Sequence, residues 1–373
     1  MTATPVAEVS AGHRRATIHP LAVKAVEPLT DDAVVIEFEI PPELESEFSF
    51  THGQHVSLRC EAAGDDTRRS YSICSAAGSG RRLRVAVKRL PGGVFSAFAL
   101  EQLRAGDIVE VVTPIGHFNT PLDPGNAISY AMIAAGSGIA PILSNLSTIL
   151  AVEPRSSVTL IYGNRTVKDI MFLEELEDLK NRFPERFALY HVLSREEQEV
   201  ELFHGHIDAE RVNRFLDQLV RPDTVDQWFL CGPREMIESA KEVLLERGVD
   251  AEHVHAELFH AKDAQRPRTD EQLTSATPSA GAAEVTIILD GRSSTFSVDP
   301  DGERILDAAL RVRSDAPYAC KGGVCGTCRA RLVSGSVEMD QHFALEQREI
   351  DAGFVLACQS HPTTPAVVLD FDQ

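Results

Sequence analysis

The hydrophobic pattern changes twice along the 373-residue chain. Short runs rich in Val, Ile and Leu, separated by Gly, Pro and Asp, fill the first third. They predict short antiparallel strands that close into a barrel, with one helix in "VFSAFALEQLRAG". From about Asn126, continuous apolar runs alternate with helical segments, which predicts a doubly wound parallel sheet. Residues 284–373 return to short strands around one helix, so we expect an α+β domain there.

We expect these patterns to correspond to three domains. They are an antiparallel β-barrel over residues 16–122, an α/β domain over 123–262 and an α+β domain over 284–373. Residues 263–283 are polar and dotted with Ala, Ser, Thr and Pro, which predicts an interdomain linker.

Capping residues predict the helix boundaries of the middle domain. Asp169 is the expected N-cap of "DIMFLEELEDLKNRF", with Pro184 just past its end. A second helix is expected from about Asp208. In "PREMIESAKEVLLERG", Pro233 marks the expected start and Gly248 the expected end.

Composition excludes several classes of function. The net charge is −20 and the chain has no basic arm or stripe, so we expect neither nucleic acid nor an anionic membrane as a partner. No apolar stretch reaches the ~20 residues of a membrane-spanning helix, and the N-terminus lacks the apolar core of a secretory signal. Seven cysteines in such a chain favour metal or redox chemistry over disulfides, and we expect a cytoplasmic protein.

The segment "CKGGVCGTC" gathers three cysteines in one glycine-rich loop. The spacing Cys320-x4-Cys325-x2-Cys328, with the remote Cys358, is that of plant-type [2Fe–2S] ferredoxins. The glycines let the backbone wrap an inorganic core and direct N–H groups at the sulfurs. A structural zinc site is the alternative, but such sites usually pair two C-x2-C knuckles. The spacing therefore predicts a [2Fe–2S] cluster held by these four thiolates.

The segment "RRSYSICS" places Arg69, Tyr71 and Ser72 on one predicted strand. Arg69 and Tyr71 share a face, where an Arg can clamp a pyrophosphate and a Tyr can pack on a flat ring. In "LPGGVFSAF", Gly92 and Gly93 precede a helix whose first N–H groups can bind phosphate. A surface Arg, a barrel Tyr and an ordinary turn are the alternative. In a barrel that precedes an α/β domain, the combination favours a flavin site.

The segment "AAGSGIAPI" follows a predicted buried strand and reads Gly136-x-Gly138-x-x-Pro141. The glycines let the backbone approach a dinucleotide pyrophosphate at a helix start, where Pro141 is tolerated. Cys231 in "FLCGP" ends another strand at the sheet edge where ligands of open α/β sheets bind. A small core residue is the alternative for Cys231.

Three polar residues predict which nicotinamide nucleotide binds. Arg165 in "YGNRT" and Ser194 and Arg195 in "HVLSREEQE" could meet a 2′-phosphate, which favours NADPH over NADH. The alternative is that Arg195 pairs with a nearby carboxylate such as Glu196.

R-x-Y-S, G-x-G-x-x-P, "CGP" and the cysteine loop occur in the order found in a known family. After its N-terminal tail, the chain resembles ferredoxin–NADP reductase-type flavoproteins fused to a plant-type ferredoxin of β-grasp fold. It is most similar to the reductase subunits of phenylacetyl-CoA epoxidases. The narrower likeness lies in "YGNRTVKDIMFLEELEDLKNRFPERF", "HVLSREEQEVELFHGHID" and "ACKGGVCGTCRARLVSGSVEM".

The resemblance implies an FAD-binding barrel, an NAD(P)-binding domain and a [2Fe–2S] ferredoxin domain. It assigns FAD contacts to Arg69, Tyr71, Ser72, Gly92, Gly93, Val94, Ser96, Glu257 and Phe259. It assigns nucleotide contacts to Gly136, Ser137, Gly138, Pro141, Arg165, Ser194, Arg195 and Cys231, the last near the nicotinamide.

Together these sites predict an electron path from NADPH through FAD and the cluster to an external acceptor, with no catalytic acid or nucleophile. The resemblance implies a di-iron oxygenase that acts on an aryl-CoA thioester. Another Rieske or di-iron oxygenase, such as a steroid or aromatic hydroxylase, is the alternative partner. An iron–sulfur electron carrier or redox sensor is the non-enzymatic alternative, and a zinc-stabilised binding module is a third.

Overall fold

The computed structural model describes residues 16–60, 67–78, 82–258, 282–300, 302–345 and 347–373. They fall into two compact units. The first unit holds the described residues between 18 and 266 together with 318–327. The second holds residues 16–17, those described between 282 and 317, and 328–373. The predicted linker lies outside the described residues except for its last two positions, and the proposed domain boundaries stay a prediction.

The first unit begins with a six-stranded antiparallel sheet in the order β4-β3-β6-β1-β2-β5. Its strands are β1 (Ile18–Thr30), β2 (Ala33–Glu39), β3 (His55–Cys60), β4 (Thr67–Ser72), β5 (Leu83–Lys88) and β6 (Ile108–Val112). A bridge between Ile73 and Val85 joins the two edges, so the sheet closes as the predicted barrel. Helix α1 (Val94–Glu101) packs Phe95 into its core.

A five-stranded parallel sheet follows in the order β11-β10-β7-β8-β9. Its strands are β7 (Ser129–Ala135), β8 (Ser157–Asn164), β9 (Phe187–Leu193), β10 (Gln227–Cys231) and β11 (Val254–Glu257). Its helices are α2 (Ile139–Val152), α3 (Leu173–Arg182), α4 (Ala209–Gln218) and α5 (Arg234–Glu246). Met132 of β7 packs in the core that holds α2 and α3, whereas its neighbour Ile133 packs in the core that holds α4 and α5. Helices therefore cover both faces, which confirms the doubly wound fold.

Helix α2 carries polar side chains toward the barrel. The Ser144 hydroxyl donates to the Ser75 carbonyl (2.8 Å), and the Asn145 amide donates to the Phe118 carbonyl (2.9 Å). One turn further on, the Thr148 hydroxyl accepts from a barrel N–H at 2.9 Å. All three side chains are buried, so hydrogen bonds as well as apolar packing fix the helix against the barrel.

One helix boundary differs from the sequence expectation. Asp169 does not cap α3, because its carboxylate accepts from the backbone and side chain of Thr166 and closes a separate 3₁₀ turn. The helix starts at Leu173, after Phe172 takes a left-handed φ of 60°. Asp208 does cap α4, and it accepts from the Arg211 N–H at 2.9 Å.

The second unit contains a mixed sheet in the order β13-β12-β18-β14-β16 and a two-stranded sheet of β15 and β17. The strands are β12 (Ala283–Leu289), β13 (Arg292–Val298), β14 (Arg329–Ser334), β15 (Val337–Met339), β16 (Phe354–Leu356), β17 (Ser360–Pro362) and β18 (Ala366–Asp370). The helices are α6 (Ile305–Val312) and α7 (Gln347–Asp351). The β12–β18 pair is parallel and its neighbours are antiparallel, as expected for a β-grasp domain. No helix among the described residues is long and apolar enough to cross a membrane.

Candidate flavin, nucleotide and iron–sulfur sites

Strand β4 positions the predicted flavin residues. Arg69 and Tyr71 alternate with Arg68 and Ser70, so the two pairs lie on opposite faces of the strand. The Tyr71 ring centroid lies 5.3 Å from that of Phe95 on α1, which leaves the Tyr71 ring half-buried. Arg69 donates to the Arg68 carbonyl at 2.7 Å and keeps an exposed guanidinium. An exposed Arg beside a half-buried aromatic ring fits the predicted pyrophosphate and ring contacts.

The glycine pair forms the turn that leads into α1. Gly92 has a φ of 72°, and no atom lies within 4 Å of a Cβ built on it. Gly93 caps α1 without a side-chain hydrogen bond, so the first N–H groups of the helix have no side-chain cap. The Ser96 hydroxyl donates to the Gly93 carbonyl and accepts from the Leu90 N–H, which holds the turn. Val94, the first helical residue, is exposed. This open turn at a helix start fits a phosphate group.

The turn between β7 and α2 makes a similar cradle. Gly136 has a φ of 53° with open space at its Cβ position, whereas a Cβ on Gly138 would lie 2.2 Å from the Cys231 carbonyl oxygen. The Tyr162 hydroxyl donates to the Gly136 carbonyl at 2.9 Å. Ser137 completes the turn, and Pro141 lies in the first turn of α2 as predicted. Glycine is therefore needed for conformation at one position and for close approach at the other.

Ser72, Cys231 and Glu257 meet where the barrel adjoins the parallel sheet. Cys231 and Glu257 are register partners on β10 and β11, and the Ser72 hydroxyl donates to Glu257 Oε2 at 3.0 Å. Burial raises the pKa of Glu257 to about 7, and the Ser72 hydrogen bond opposes this rise. Burial, and then the nearby Glu257, raise the pKa of the Cys231 thiol. Glu257 can therefore hold or release a proton near neutral pH.

His55 belongs to this buried group, although the sequence analysis did not select it. Its Nδ1 lies 4.0 Å from Glu257 Oε1, and its Nε2 is buried without a hydrogen-bond partner among the described residues. Burial lowers the pKa of His55 to about 4, so the ring is neutral at pH 7. A lone His in "HVSLRC" gives no signal of this, because its partner Glu257 is remote in sequence. Phe259 lies outside the described residues.

The residues predicted to meet the 2′-phosphate follow β8 and β9. The backbone N–H of Ser194 donates to Asn164, and that of Arg195 donates to Arg165, so the two strand ends lie side by side. The Arg165 guanidinium pairs with Asp32 and Asp169, whereas Arg195 is exposed. The Glu196 carboxylate accepts a hydrogen bond from the Val167 N–H at 3.0 Å.

A buried amide marks the same edge of the sheet. Neither side-chain atom of Asn164 has a hydrogen-bond partner among the described residues, although the residue is only 9% exposed. An unsatisfied buried amide at the carboxyl end of a parallel strand fits a nucleotide there.

No disulfide joins any of the four predicted cluster cysteines, all of which the structure describes. In the first unit, the Gly322 N–H donates to Cys320 Sγ at 3.3 Å. The neighbouring Cys320, and then burial, raise the pKa of Cys325. In the second unit, the Cys358 N–H donates to Cys328 Sγ at 3.5 Å, and Gln359 Nε2 lies 3.6 Å from Cys358 Sγ.

Backbone N–H groups aimed at cysteine sulfurs fit an iron–sulfur cluster, because they stabilise its negative charge. No three potential ligands surround a single point among the described residues. The predicted cluster has two irons, which share the four thiolates.

Family models match all three parts of the chain. The oxidoreductase FAD-binding domain matches residues 20–120, and the oxidoreductase NAD-binding domain matches residues 132–242. The 2Fe-2S iron-sulfur cluster binding domain matches residues 287–363. These domains, in this order, define an NAD(P)H oxidoreductase with flavin and iron–sulfur domains.

Curated relatives span nearly the whole chain. The chain is 41% identical to a subunit of the 1,2-phenylacetyl-CoA epoxidase from Escherichia coli (strain K12), over 95% of this chain and 98% of that protein. It is 33% identical to a 3-ketosteroid-9-alpha-monooxygenase ferredoxin reductase component from Mycobacterium tuberculosis, over 92% and 93% of the two chains. The chain belongs to the family of oxygenase reductase components that includes these two relatives.

One solved structure matches nearly the whole length of the chain. Phthalate dioxygenase reductase is 22% identical with a TM-score of 0.57, and the match covers 95% of this chain and 98% of that chain. This likeness confirms the fold of the whole chain.

Proposed function

We propose that the protein passes electrons from NADPH, through FAD and a [2Fe–2S] cluster, to a di-iron oxygenase that epoxidises the ring of an aryl-CoA thioester. The observation that carries the redox part is the meeting of Ser72, Cys231 and Glu257 between the flavin barrel and the nucleotide-binding sheet. The relative from the phenylacetyl-CoA epoxidase, 41% identical over almost the full length, supports the substrate class.

In the barrel, we assign the FAD pyrophosphate to Arg69 and to the N–H groups that follow Gly92 and Gly93. Tyr71 would pack on the isoalloxazine ring. Bound flavin supplies the conversion between a two-electron hydride donor and a one-electron acceptor. Glu257 can hold a proton on its carboxyl group next to the buried Ser72 hydroxyl.

In the α/β domain, Gly136 to Pro141 cradle the nucleotide pyrophosphate, and Cys231 borders the nicotinamide. We assign the 2′-phosphate mainly to Arg195 and Ser194. Arg165 already pairs with two carboxylates. Their negative charges offset its positive charge and weaken its attraction for a phosphate. NADPH is therefore the proposed donor, with NADH the weaker one.

We assign the cluster to Cys320, Cys325, Cys328 and Cys358. The segment from Val285 to the C-terminus has 13 acidic and 8 basic residues, and an oxidised four-thiolate cluster adds about two further negative charges. The oxygenase should therefore present a basic docking face. Raising the ionic strength should slow electron transfer to it, and a salt-independent rate would contradict this docking model.

A different oxygenase is the second candidate partner. The relative named as a 3-ketosteroid-9-alpha-monooxygenase component, 33% identical, favours a steroid hydroxylase of the Rieske or another class. A cluster-only electron carrier or redox sensor would need neither the FAD-binding nor the NAD-binding domain. We also propose that the protein is cytoplasmic, since its thiols have a redox rather than a disulfide role; cell fractionation tests this.

An anaerobic absorbance titration tests the electron path. The purified protein should show flavin and iron–sulfur bands, and NADPH should bleach both at low stoichiometry. Faster bleaching by NADH would refute the 2′-phosphate assignment. A reduced flavin with an oxidised cluster would refute the internal path. Reconstitution with a di-iron epoxidase and with a steroid oxygenase, at equal protein and NADPH concentrations, then distinguishes the two partners by product formation.

A further inference from the structure

The cysteine loop is anchored to the flavin barrel. Residues 318–327 belong to the same compact unit as the barrel. At the start of the loop, the Arg68 guanidinium of β4 lies 4.2 Å from the centre of the Tyr318 ring. At its end, the Thr327 hydroxyl lies 3.4 Å from the Ser57 hydroxyl of β3. These two contacts, at opposite ends of the loop, fix its position on the barrel.

A row of hydroxyl groups runs from the barrel to a cluster ligand. The Ser70 and Ser57 hydroxyls are 3.0 Å apart, and the Ser57 and Thr327 hydroxyls are 3.4 Å apart. The Thr327 hydroxyl lies 3.1 Å from Cys325 Sγ. Ser57, Thr327 and Cys325 are all at least 95% buried, so these groups depend on one another for hydrogen bonds.

A thiolate at Cys325 would fix the direction of every bond in the row. A thiolate only accepts, so Thr327 must donate to the sulfur and its oxygen is then free to accept from Ser57. Ser57 in turn accepts from Ser70. Donation along such a row strengthens each bond by polarisation, and it is strongest at the charged end.

We propose that Ser57 is a positioning residue for the iron–sulfur cluster. It orients the Thr327 hydroxyl toward the Cys325 sulfur, so the flavin barrel itself sets part of the reduction potential of the cluster. This inference rests on the cluster assignment made above. Ser70 and Ser57 lie on neighbouring barrel strands. The same barrel residues therefore hold the cysteine loop in place and affect the reduction potential of the cluster through the Cys325 sulfur.

A hydrogen bond to a ligand sulfur stabilises the more negative, reduced cluster, so its loss should lower the potential. Loss of a net 0.5–1.5 kcal/mol corresponds to about a two- to twelvefold change in the reduction equilibrium. At 59 mV per tenfold for one electron, that is a fall of about 20–65 mV. Thr327→Val removes the donor and should show this fall. Ser57→Ala removes only its orienting partner and should show about a twofold change.

The test is a redox titration of the holoprotein followed by EPR, with hydrogen exchange of the amides of residues 318–327 measured in parallel. Thr327→Ser keeps the hydroxyl and should restore the wild-type potential. Thr286→Val is the matched control, because it removes a hydroxyl that pairs with Thr295 in the other unit. In Ser57→Ala, the potential should fall while the cluster EPR signal remains.

Three results would overturn the proposal. If Ser57→Ala speeds exchange in the loop but leaves the potential equal to that of Thr286→Val, Ser57 has a structural role only. If Thr327→Ser shifts the potential as far as Thr327→Val does, side-chain volume and not the hydroxyl is responsible. If the wild-type protein has no [2Fe–2S] EPR signal, the cluster assignment fails as well. Should Thr327→Val not fold, Ser57→Ala still decides the first outcome, and a Thr327→Ser potential different from that of wild type replaces the second.

Discussion

Glu257→Gln tests whether the protein keeps a neutral carboxyl group beside the proposed flavin site. Burial raises the pKa of Glu257 from the ordinary 4.5 to about 7. At 1.36 kcal/mol per pH unit, this difference corresponds to about 3 kcal/mol. The folded protein binds this proton more tightly than the unfolded chain does. The free energy of unfolding therefore falls as the pH rises from about 4.5 to about 7, and the contribution is lost above the folded pKa.

The variant removes this dependence, because an amide does not titrate. At pH 5 wild type and Glu257→Gln should have similar stability, since both carry a neutral side chain that can accept from Ser72. At pH 8 the variant should be more stable by up to about 3 kcal/mol, because the wild type must ionise a buried carboxyl group.

The assay is denaturant unfolding of the holoprotein from pH 5 to pH 8 at one fixed FAD concentration, since bound flavin adds to stability. Glu252→Gln, at an exposed position in the turn before β11, controls for the general loss of one carboxyl group. A carboxyl infrared band that disappears on raising the pH in wild type, and is absent from Glu257→Gln, would identify the group. A stability difference that stays constant from pH 5 to pH 8 would refute the reasoning.

Three further substitutions test the sites and the fold. Gly138→Ala should cost about 1–3 kcal/mol and raise the KM for nicotinamide nucleotides, because its Cβ would overlap the Cys231 carbonyl; an unchanged Tm and KM would contradict this. Asp208→Ala removes the α4 cap and should lower Tm by about 2–4 °C without changing KM, as read by calorimetry and steady-state kinetics. Arg195→Ala should raise the KM for NADPH about tenfold and leave that for NADH unchanged, with Arg165→Ala as the weaker comparison; equal effects on both nucleotides would exclude a 2′-phosphate contact.

The sequence predicts those parts of the fold that depend on residues close together in the chain. The parallel sheet, the two glycine turns and the cysteine spacing each follow from a few neighbouring residues. Strand β1 is hard to predict from local sequence, because Pro20 and Pro28 argue against a central strand. In the barrel β1 lies between β6 and β2, and its register with β2 shifts at Val23/Ala25 and at Pro28/Thr30. Such irregularities absorb a proline, but their position depends on the partner strand.

The contacts that define the sites were less accessible to prediction. Ser72 and Glu257 hydrogen-bond across 185 residues, and Ser57 and Thr327 across 270. No local pattern encodes a pair so far apart. The prediction that Asp169 caps α3 was wrong for a related reason. The Asp169 carboxylate instead accepts hydrogen bonds from Thr166, three residues earlier in the chain. The position of a polar side chain predicts that it needs a partner, but only the fold decides which one.

The polar side chains of α2 limit how such proteins can be recombined. A chimera that joins this barrel to a foreign nucleotide-binding domain would have its junction in an exposed loop. The sequence at that junction would give no sign of a loss of stability. The chimera would leave the carbonyls of Ser75 and Phe118 without their donors, at about 1–3 kcal/mol for each buried group. We therefore expect the barrel and the parallel-sheet domain to be inherited together as one unit. Gene fusions that exchange modules would succeed more readily at other boundaries.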